Sequence, residues 1–238
     1  IDISSLSCKN LPMQTLTELN LWHDPSPRSG AANMAVDQFL LENISDIPLL
    51  RFYSWDRPSV SFGYFESLAT ARTIFNEKTL DYIRRWTGGG IVDHRADLTY
   101  TLAIPHTHPW AALRGAESYR IIHEAVAEAL NETETKCMLI SENSGNDSVA
   151  CFANPVAYDI VTPAGDKLAG AGQKRTRHGL LHQGSIIGIT DTSKWQASFT
   201  RLLTESVIPW TPEVSFFTAV NELVASRYGT QEWIEKRP

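Results

Sequence analysis

Three cysteines in 238 residues, Cys8, Cys137 and Cys151, are too few and too scattered for a disulfide framework. The expected setting is a reducing one, the cytoplasm. No apolar run approaches the ~18 residues that a membrane span requires. The opening stretch IDISSLSCKNLPMQ lacks the apolar core and cleavage site of a signal peptide. With Ile at position 1, the native start is expected upstream or removed. An excess of positive charge is missing as well: 21 Lys+Arg against 27 Asp+Glu leave a formal net charge of −6, which argues against nonspecific nucleic-acid binding. Repeats, low-complexity tracts and long charge blocks are also absent. What remains is 42% hydrophobic and 20% charged, the balance of a soluble chain long enough to bury a sizeable core.

Apolar periodicity lays out the elements. ANMAVDQFLLEN carries Met34, Val36, Phe39 and Leu40 at helical spacing, with Asn33 as its expected cap. LLRFYSW and SVSFGYF, separated by Asp56-Arg57-Pro58, read as a strand pair. A turn at Arg95-Ala96-Asp97 leads into a period-2 strand through Tyr100, Leu102 and Ile104, which Pro105 ends. ESYRIIHEAVAEALNE is a helix with Tyr119, Ile122, Val126 and Ala129 on one face and Ser118 as its cap. AYDIVTPAGDKLAGAGQKR reads as a hairpin: a strand from Tyr158 to Val161, a turn at Pro163-Ala164-Gly165-Asp166, and a return strand starting at Lys167. GLLHQGSIIGI is a further strand. Two helices follow, SKWQASFTRLLTES and SFFTAVNELVASRYG; the second has a stripe of Phe217, Val220, Val224 and Tyr228 and a stop at Gly229. The pattern predicts one α+β domain over 16–238, a largely antiparallel sheet with helices on one side, preceded by a loose arm over 1–15.

Two stretches carry chemistry. The first, RRWTGGGIVDH (Arg84 to His94), sets two arginines before three consecutive glycines. Glycine lets backbone approach a ligand closely, and successive N–H groups in such a loop can form an anion-binding nest. Arg84 or Arg85 can add a charge-assisted contact. No Gly-Lys-Ser/Thr follows, and the next element is a strand, so the run is neither a Walker loop nor a dinucleotide fingerprint. A tight strand connection is the bland alternative for Gly88 to Gly90, and three glycines in a row make it the less economical one, because each costs backbone entropy.

The second stretch is ACFANPVAYDIVTPAGDKLAGAGQKRTRHGLLHQGSI. Small residues after the lysine (Ala169, Gly170, Ala171, Gly172) leave room for a ligand against the backbone. The hairpin lets Cys151, ahead of its first arm, fold back near Lys167 on the second. Thiolate is the reactive form: a free cysteine with a pKa of ~8.5 is only ~3% ionised at pH 7, and a drop of one unit raises that to roughly a quarter. An ammonium ~4 Å away supplies roughly 4 kcal/mol of attraction at an effective dielectric of ~20, before desolvation. A lone buried cysteine is otherwise a small hydrophobe. Cys8 and Cys137 have nothing comparable around them.

With NMAVDQFLL, LRFYSWDRPSVSFGYFES, RRWTGGGIVDHRADLTYT and DKLAGAGQKR…LLHQGSI in that order, the chain resembles the lipoate–protein ligase and octanoyltransferase family, which shares its catalytic fold with biotin protein ligase. The resemblance runs from about residue 15 to the C-terminus. It implies covalent handling of a medium-chain acyl group. The glycine loop would line the acyl pocket through Arg85, Thr87, Gly88, Gly89 and Gly90, with Arg85 orienting the polar end. Lys167 takes the place of the family's K-x-x-G lysine. His94 and His182 fall in matching positions, with strand-holding histidines as the plainer alternative.

The ACF…P…Y segment looks like that of the cysteine-dependent octanoyltransferases, so the resemblance gives Cys151 the role of nucleophile. It implies transfer of octanoyl from acyl carrier protein to a lysine of a lipoyl domain or of the glycine-cleavage H protein. Lys167 would ionise the thiol and stabilise the oxyanion, with help from N–H groups of Gly170, Ala171 and Gly172. No metal and no other cofactor is expected. Gly90 is closer to the ATP-dependent lipoate ligases, which keeps that activity open, with ATP and Mg as its requirements. An octanoyl or lipoyl amidotransferase and a non-catalytic acyl-binding subunit are the further alternatives. Docking of acidic carrier domains on a net acidic chain calls for a local basic patch. QKRTRH, with Lys174, Arg175, Arg177 and His178, is that patch or else a solvated strand end.

Overall fold

The strands in the middle of the chain are buried along most of their length, and their pairing sorts them into two sheets. The computed structural model describes residues 15–140 and 156–236; the expected arm over 1–15 lies almost wholly outside them. In chain order the elements are β1 (Leu19–His23), α1 (Gly30–Glu42), β2 (Leu49–Tyr53), β3 (Ser59–Phe62), α2 (Leu68–Ile74), β4 (Asp81–Arg84), β5 (Ile91–Asp93), β6 (Asp97–Pro105) and α3 (Pro109–Ala112). They continue with α4 (Gly115–Glu132), β7 (Met138–Leu139), β8 (Ile160–Val161), β9 (Lys167–Thr176), β10 (Gly179–Ile187), α5 (Thr192–Leu203), β11 (Val207–Pro209), α6 (Val214–Leu223) and α7 (Gln231–Glu235). An eight-stranded sheet runs β11-β1-β2-β6-β10-β9-β8-β7, and a three-stranded sheet runs β4-β3-β5. The large sheet is antiparallel except at one edge, where β1 runs parallel to both β11 and β2.

The α+β class and the antiparallel bias stand; three local expectations are corrected. β2 and β3 do not pair: β2 joins β6 in the large sheet and β3 joins β4 and β5 in the small one. Helices cover both faces of the large sheet. On one face Leu50, Phe52, Tyr100, Leu102, Ile104 and Leu180 pack with α4 and α5. On the other, α1 and α6 pack around Trp22 and Leu49, and Leu41 of α1 meets Ala103 and Leu181. The caps also differ. Ser29, not Asn33, caps α1, its hydroxyl accepting from Ala32 N–H; Arg114 precedes α4, and Ser118 sits inside it.

Asn33 is claimed instead by a buried ion cluster. Arg51 lies between Asp24 and Asp37, at 2.7 Å from each, and donates to Asn33 Oδ1 at 2.8 Å. A charge buried this deeply persists only with such complete partnering. The final helical stripe bends too: after α6 the chain widens into a π turn at Val224–Tyr228, closed by Gly229 N–H donating to Val224 O.

Candidate active site

The hairpin β8–β9 forms as its turn chemistry requires, with Ile160 opposite Ala169, Val161 opposite Lys167, and a bulge between. Gly165 takes the positive φ of the turn. This register carries Lys167 into a cavity between the two sheets. Gly170, Gly172, Gln183 and Ser185 form its floor from the large sheet; Ser61, Val92, His94 and Arg85 face them from the small-sheet side.

Lys167 is buried, with Nζ 2.6 Å from Asp159 Oδ2. A side chain at Gly170 would meet this pair: its Cβ would lie 2.6 Å from Lys167 Cε and 2.7 Å from Nζ. Asp159 is held in turn by Tyr119 OH at 2.5 Å and by Val156 N–H at 2.8 Å. Ala171 N–H donates to the same phenol oxygen at 2.8 Å. That N–H is therefore spent on the fold, which removes it from the expected set of oxyanion donors. Tyr158 takes a φ of +70°, uncommon for a bulky residue. His123 Nδ1–H donates to the Tyr158 carbonyl at 2.7 Å and braces the turn that presents Asp159. Burial pushes His123 down to about 4, with Asp159 acting in the opposite sense. Cys151, the expected nucleophile, lies outside the described residues, as does Cys8. Cys137 is half-buried; burial first and Glu128 second push its thiol up to about 11, so it is not an activated thiol.

The glycine run packs edge-on between strands. A Cβ on Gly172 would fall 2.5 Å from Gly88 O, and one on Gly63 would fall 1.8 Å from Gly89 O. Gly89 has a φ of +92°. The loop backbone lies so close to Gly63, beside β3, and to Gly172 in β9 that only hydrogen fits at those two positions, while within the loop the positive φ of Gly89 favours glycine. Arg85 staples it: Nη1 donates to Ser61 Oγ at 2.7 Å, and Nη2 to Gly90 O at 2.8 Å and Gly88 O at 3.2 Å. Gly88 N–H donates to Gln173 O. Thr87 anchors the loop from below, donating to Gln183 Oε1 at 2.7 Å, while Gln183 Nε2 donates to Asp37. The Arg51 cluster thus reaches the loop through two side chains. Arg84 points away from the cavity; it donates to the carbonyls of Tyr64, Glu66, Trp233, Ile234 and Lys236 and ties α7 to the small sheet.

His94 and His182 separate. His94 lines the cavity, with Nε2 2.6 Å from Ser61 Oγ and Nδ1 2.7 Å from Asp97 Oδ2. His182 shares the face of β10 that carries Leu180 and Ile186, opposite to Gln183 and Ser185. It is fully buried beside Tyr100 and Gln173, and burial, followed by His123 and Arg175, holds it well below the usual histidine range. Of the residues expected to line the site, Lys167, Arg85, His94, Gly170, Ala171 and Gly172 line one cavity; Thr87, Gly88, Gly89 and Gly90 are not among its described lining residues, and His182 packs behind the sheet. The QKRTRH run is split by strand alternation. Lys174 lies over Tyr64 and Trp86, whereas Arg175 donates to Ser118 Oγ and Leu113 O at the start of α4.

Sequence reasoning missed Asp159, Tyr119, Ser61 and Asp97. Asp159 was legible in principle: the hairpin register places it across the turn from Lys167. The other three come from elements far apart in sequence, and no local pattern marks them.

The family model for the lipoyl protein ligase A/B catalytic domain matches residues 29–213. The chain is 31% identical over 184 residues to octanoyltransferase LipM of Halalkalibacterium halodurans, covering 72% of this chain and 66% of that one. It is 32% identical over 185 residues to the Staphylococcus epidermidis protein of the same name, covering 72% and 67%. The chain spans about two thirds of the length of these curated relatives, 66% and 67%. Among solved structures, lipoate-protein ligase A bound with ATP superposes with a TM-score of 0.72 at 19% identity, covering 94% of this chain and 100% of that one. A bipartite lipoate protein ligase from Thermoplasma acidophilum gives 0.66 at 18%, covering 94% and 98%. At such identities these two bear on the fold alone.

Proposed function

Because the chain belongs to the lipoyl protein ligase A/B catalytic-domain family, we propose that it transfers an octanoyl group from acyl carrier protein, through a thioester on Cys151, to a lysine of a lipoyl domain or of the glycine-cleavage H protein. Cys151 thiolate attacks the carrier thioester, and the phosphopantetheine thiolate leaves. The acceptor amine then attacks the octanoyl-enzyme and departs with an amide. Thioester exchange is nearly balanced, and amide formation runs downhill, so the scheme asks for neither nucleotide nor metal. Lys167 supplies the positive charge that favours the thiolate and stabilises the tetrahedral oxyanion.

The observation that carries this reading is the buried Lys167 ammonium, held by Asp159 on the wall of a cavity that Arg85 and His94 also line. A fixed cation in a partly apolar cleft suits an anionic nucleophile and an anionic intermediate. Val156, five residues beyond Cys151, donates its N–H to the same carboxylate. The relatives' name, octanoyltransferase, supports octanoyl transfer. Cytoplasmic action fits it as well; among the described residues no helix is long and apolar enough to cross a membrane.

Nucleotide dependence tests the proposal against ATP-driven ligation. A lipoyl domain is incubated with the protein and either octanoyl-acyl carrier protein alone or free octanoate with ATP and Mg. The expected result is octanoylation from the carrier without ATP, lost in Cys151→Ser. Modification only from free acid with ATP, unaffected by Cys151→Ala, assigns the chain to the ligases instead.

A further inference from the structure

Ser61 and His94, which line the cavity, and Asp97 behind them have no part in the scheme above, yet they form a continuous line of short hydrogen bonds. Ser61 Oγ lies 2.6 Å from His94 Nε2, and His94 Nδ1 lies 2.7 Å from Asp97 Oδ2. Thr99 and Ser185 donate to the same Oδ2 at 3.1 and 2.6 Å, so the carboxylate is fixed from β6 and β10. All three donors converge on that oxygen; Oδ1 is buried with no partner among the described residues. A carboxylate only accepts, so the His94 proton sits on Nδ1, and Nε2 accepts from the serine hydroxyl. Trp55 stacks on the imidazole with ring centroids 3.9 Å apart and fixes its plane. Serine offers one donor and two acceptor sites. The Ser61 proton goes to His94, one lone pair takes Arg85 Nη1 at 2.7 Å, and the second has no partner among the described residues. The guanidinium makes the hydroxyl a better donor toward the imidazole. Ser61 and His94 line the same cavity as Lys167.

We propose that Ser61, His94 and Asp97 relay the proton released by the acceptor's lysine amine as the amide forms, an inference that rests on the thioester reading above. Proton stoichiometry selects this step. In the first half-reaction a thiolate enters and a thiolate leaves, so no base is required. In the second, the neutral amine nitrogen attacks the thioester carbonyl. The N–C bond forms, the C–S bond breaks, and Cys151 departs as thiolate with its electron pair. The nitrogen must then shed a proton. That proton passes to Ser61 Oγ while Ser61 gives its own to His94 Nε2. The imidazolium, held by Asp97, returns a proton to water and the relay resets. Lys167 cannot take this role as the ammonium paired with Asp159, since an ammonium has three donors and no acceptor.

The two half-reactions are measured separately. Octanoyl-enzyme is made from octanoyl-acyl carrier protein, freed of donor, and mixed with a lysine-bearing lipoyl domain, and loss of the octanoyl mass is timed. Ser61→Ala, His94→Gln and Asp97→Asn are expected to slow this aminolysis about 100-fold or more, the scale of a lost general base. Their effect on formation of the octanoyl-enzyme is expected to be at least about ten-fold smaller. Ser61→Thr keeps the hydroxyl and is expected to retain aminolysis within about three-fold. Equal slowing of both half-reactions, or wild-type aminolysis in Ser61→Ala, overturns the relay. Absence of any octanoyl-enzyme with the wild-type protein overturns the thioester reading and the relay with it, and it is seen before any acceptor is added.

Discussion

Replacing Asp159 by Asn takes the carboxylate from Lys167 while nearly preserving shape. Both side chains of the pair are buried, 2% and 0% exposed, with Nζ 2.6 Å from the carboxylate. Tyr119 OH and Val156 N–H donate to the same group, so an amide there either sets its NH2 against the Lys167 and Val156 donors or makes the Tyr119 hydroxyl turn from donor to acceptor. Removing one partner of a buried ion pair costs about 3–5 kcal/mol. For a chain of this length 1 kcal/mol corresponds to roughly 2–4 °C in Tm, so the variant is expected to melt about 6–20 °C below wild type. Adding Lys167→Met replaces the pair as a unit and is expected to recover about 2 kcal/mol relative to the sum of the two single changes, the signature of a coupled pair. Calorimetric or denaturant melts of wild type, both single variants and the double variant close the cycle. With Lys167 no longer fixed, formation of octanoyl-enzyme in Asp159→Asn is expected to slow about ten-fold or more. A Tm within about 2 °C of wild type, together with unaltered acylation, would refute the claim that Asp159 sets the position of Lys167.

Two glycines separate space from habit. Gly170→Ala drives a methyl group into Lys167 Cε and Nζ and is expected to cost about 1–3 kcal/mol by overpacking, whereas Gly88→Ala, with no atom within 4 Å of its Cβ, is expected to shift stability by less than about 0.5 kcal/mol; urea midpoints compare them. Acid should weaken the fold through His123. Its folded-state value near 4 lies below the ~6.5 of an unfolded histidine, so the unfolded chain binds more protons between those limits. The contribution is complete above about pH 6.5 and falls as pH drops toward 4, by roughly 3 kcal/mol at most. His123→Gln, which can still donate to Tyr158 O, should flatten the pH dependence of the urea midpoint over that window; an unchanged slope would sink the assignment.

Local chemistry was legible where a turn or cap decides the outcome. The Pro163-Ala164-Gly165-Asp166 turn fixes the β8–β9 hairpin, and with it the entry of Lys167 into the cavity. Alternation along β10 is equally local: Leu180, His182, Gly184 and Ile186 share one face, so His182 cannot join Gln183 and Ser185 at the cavity. Partner choice was not legible. Apolar alternation in β2 and β3 says that both are strands but not that they enter different sheets. Asn33 has the residue type of a cap, yet a long-range tie to Arg51 and the hydroxyl of Ser29 decide otherwise. The same limit hid Ser61 and Asp97, whose meaning arises only when β3 and β6 face one another across the cavity. Arg85 combined both kinds of information: its place beside the glycines was visible, but its use as a staple for Gly88 O and Gly90 O depends on the folded loop.

The most direct test of the central claim is intact-protein mass spectrometry after mixing the wild-type chain with octanoyl-acyl carrier protein in nucleotide-free buffer. The account predicts a gain of one octanoyl group, mapped to Cys151 by peptide analysis and discharged when a lipoyl domain is added. No adduct, or an adduct that survives in Cys151→Ser and is not passed to the acceptor, would contradict it.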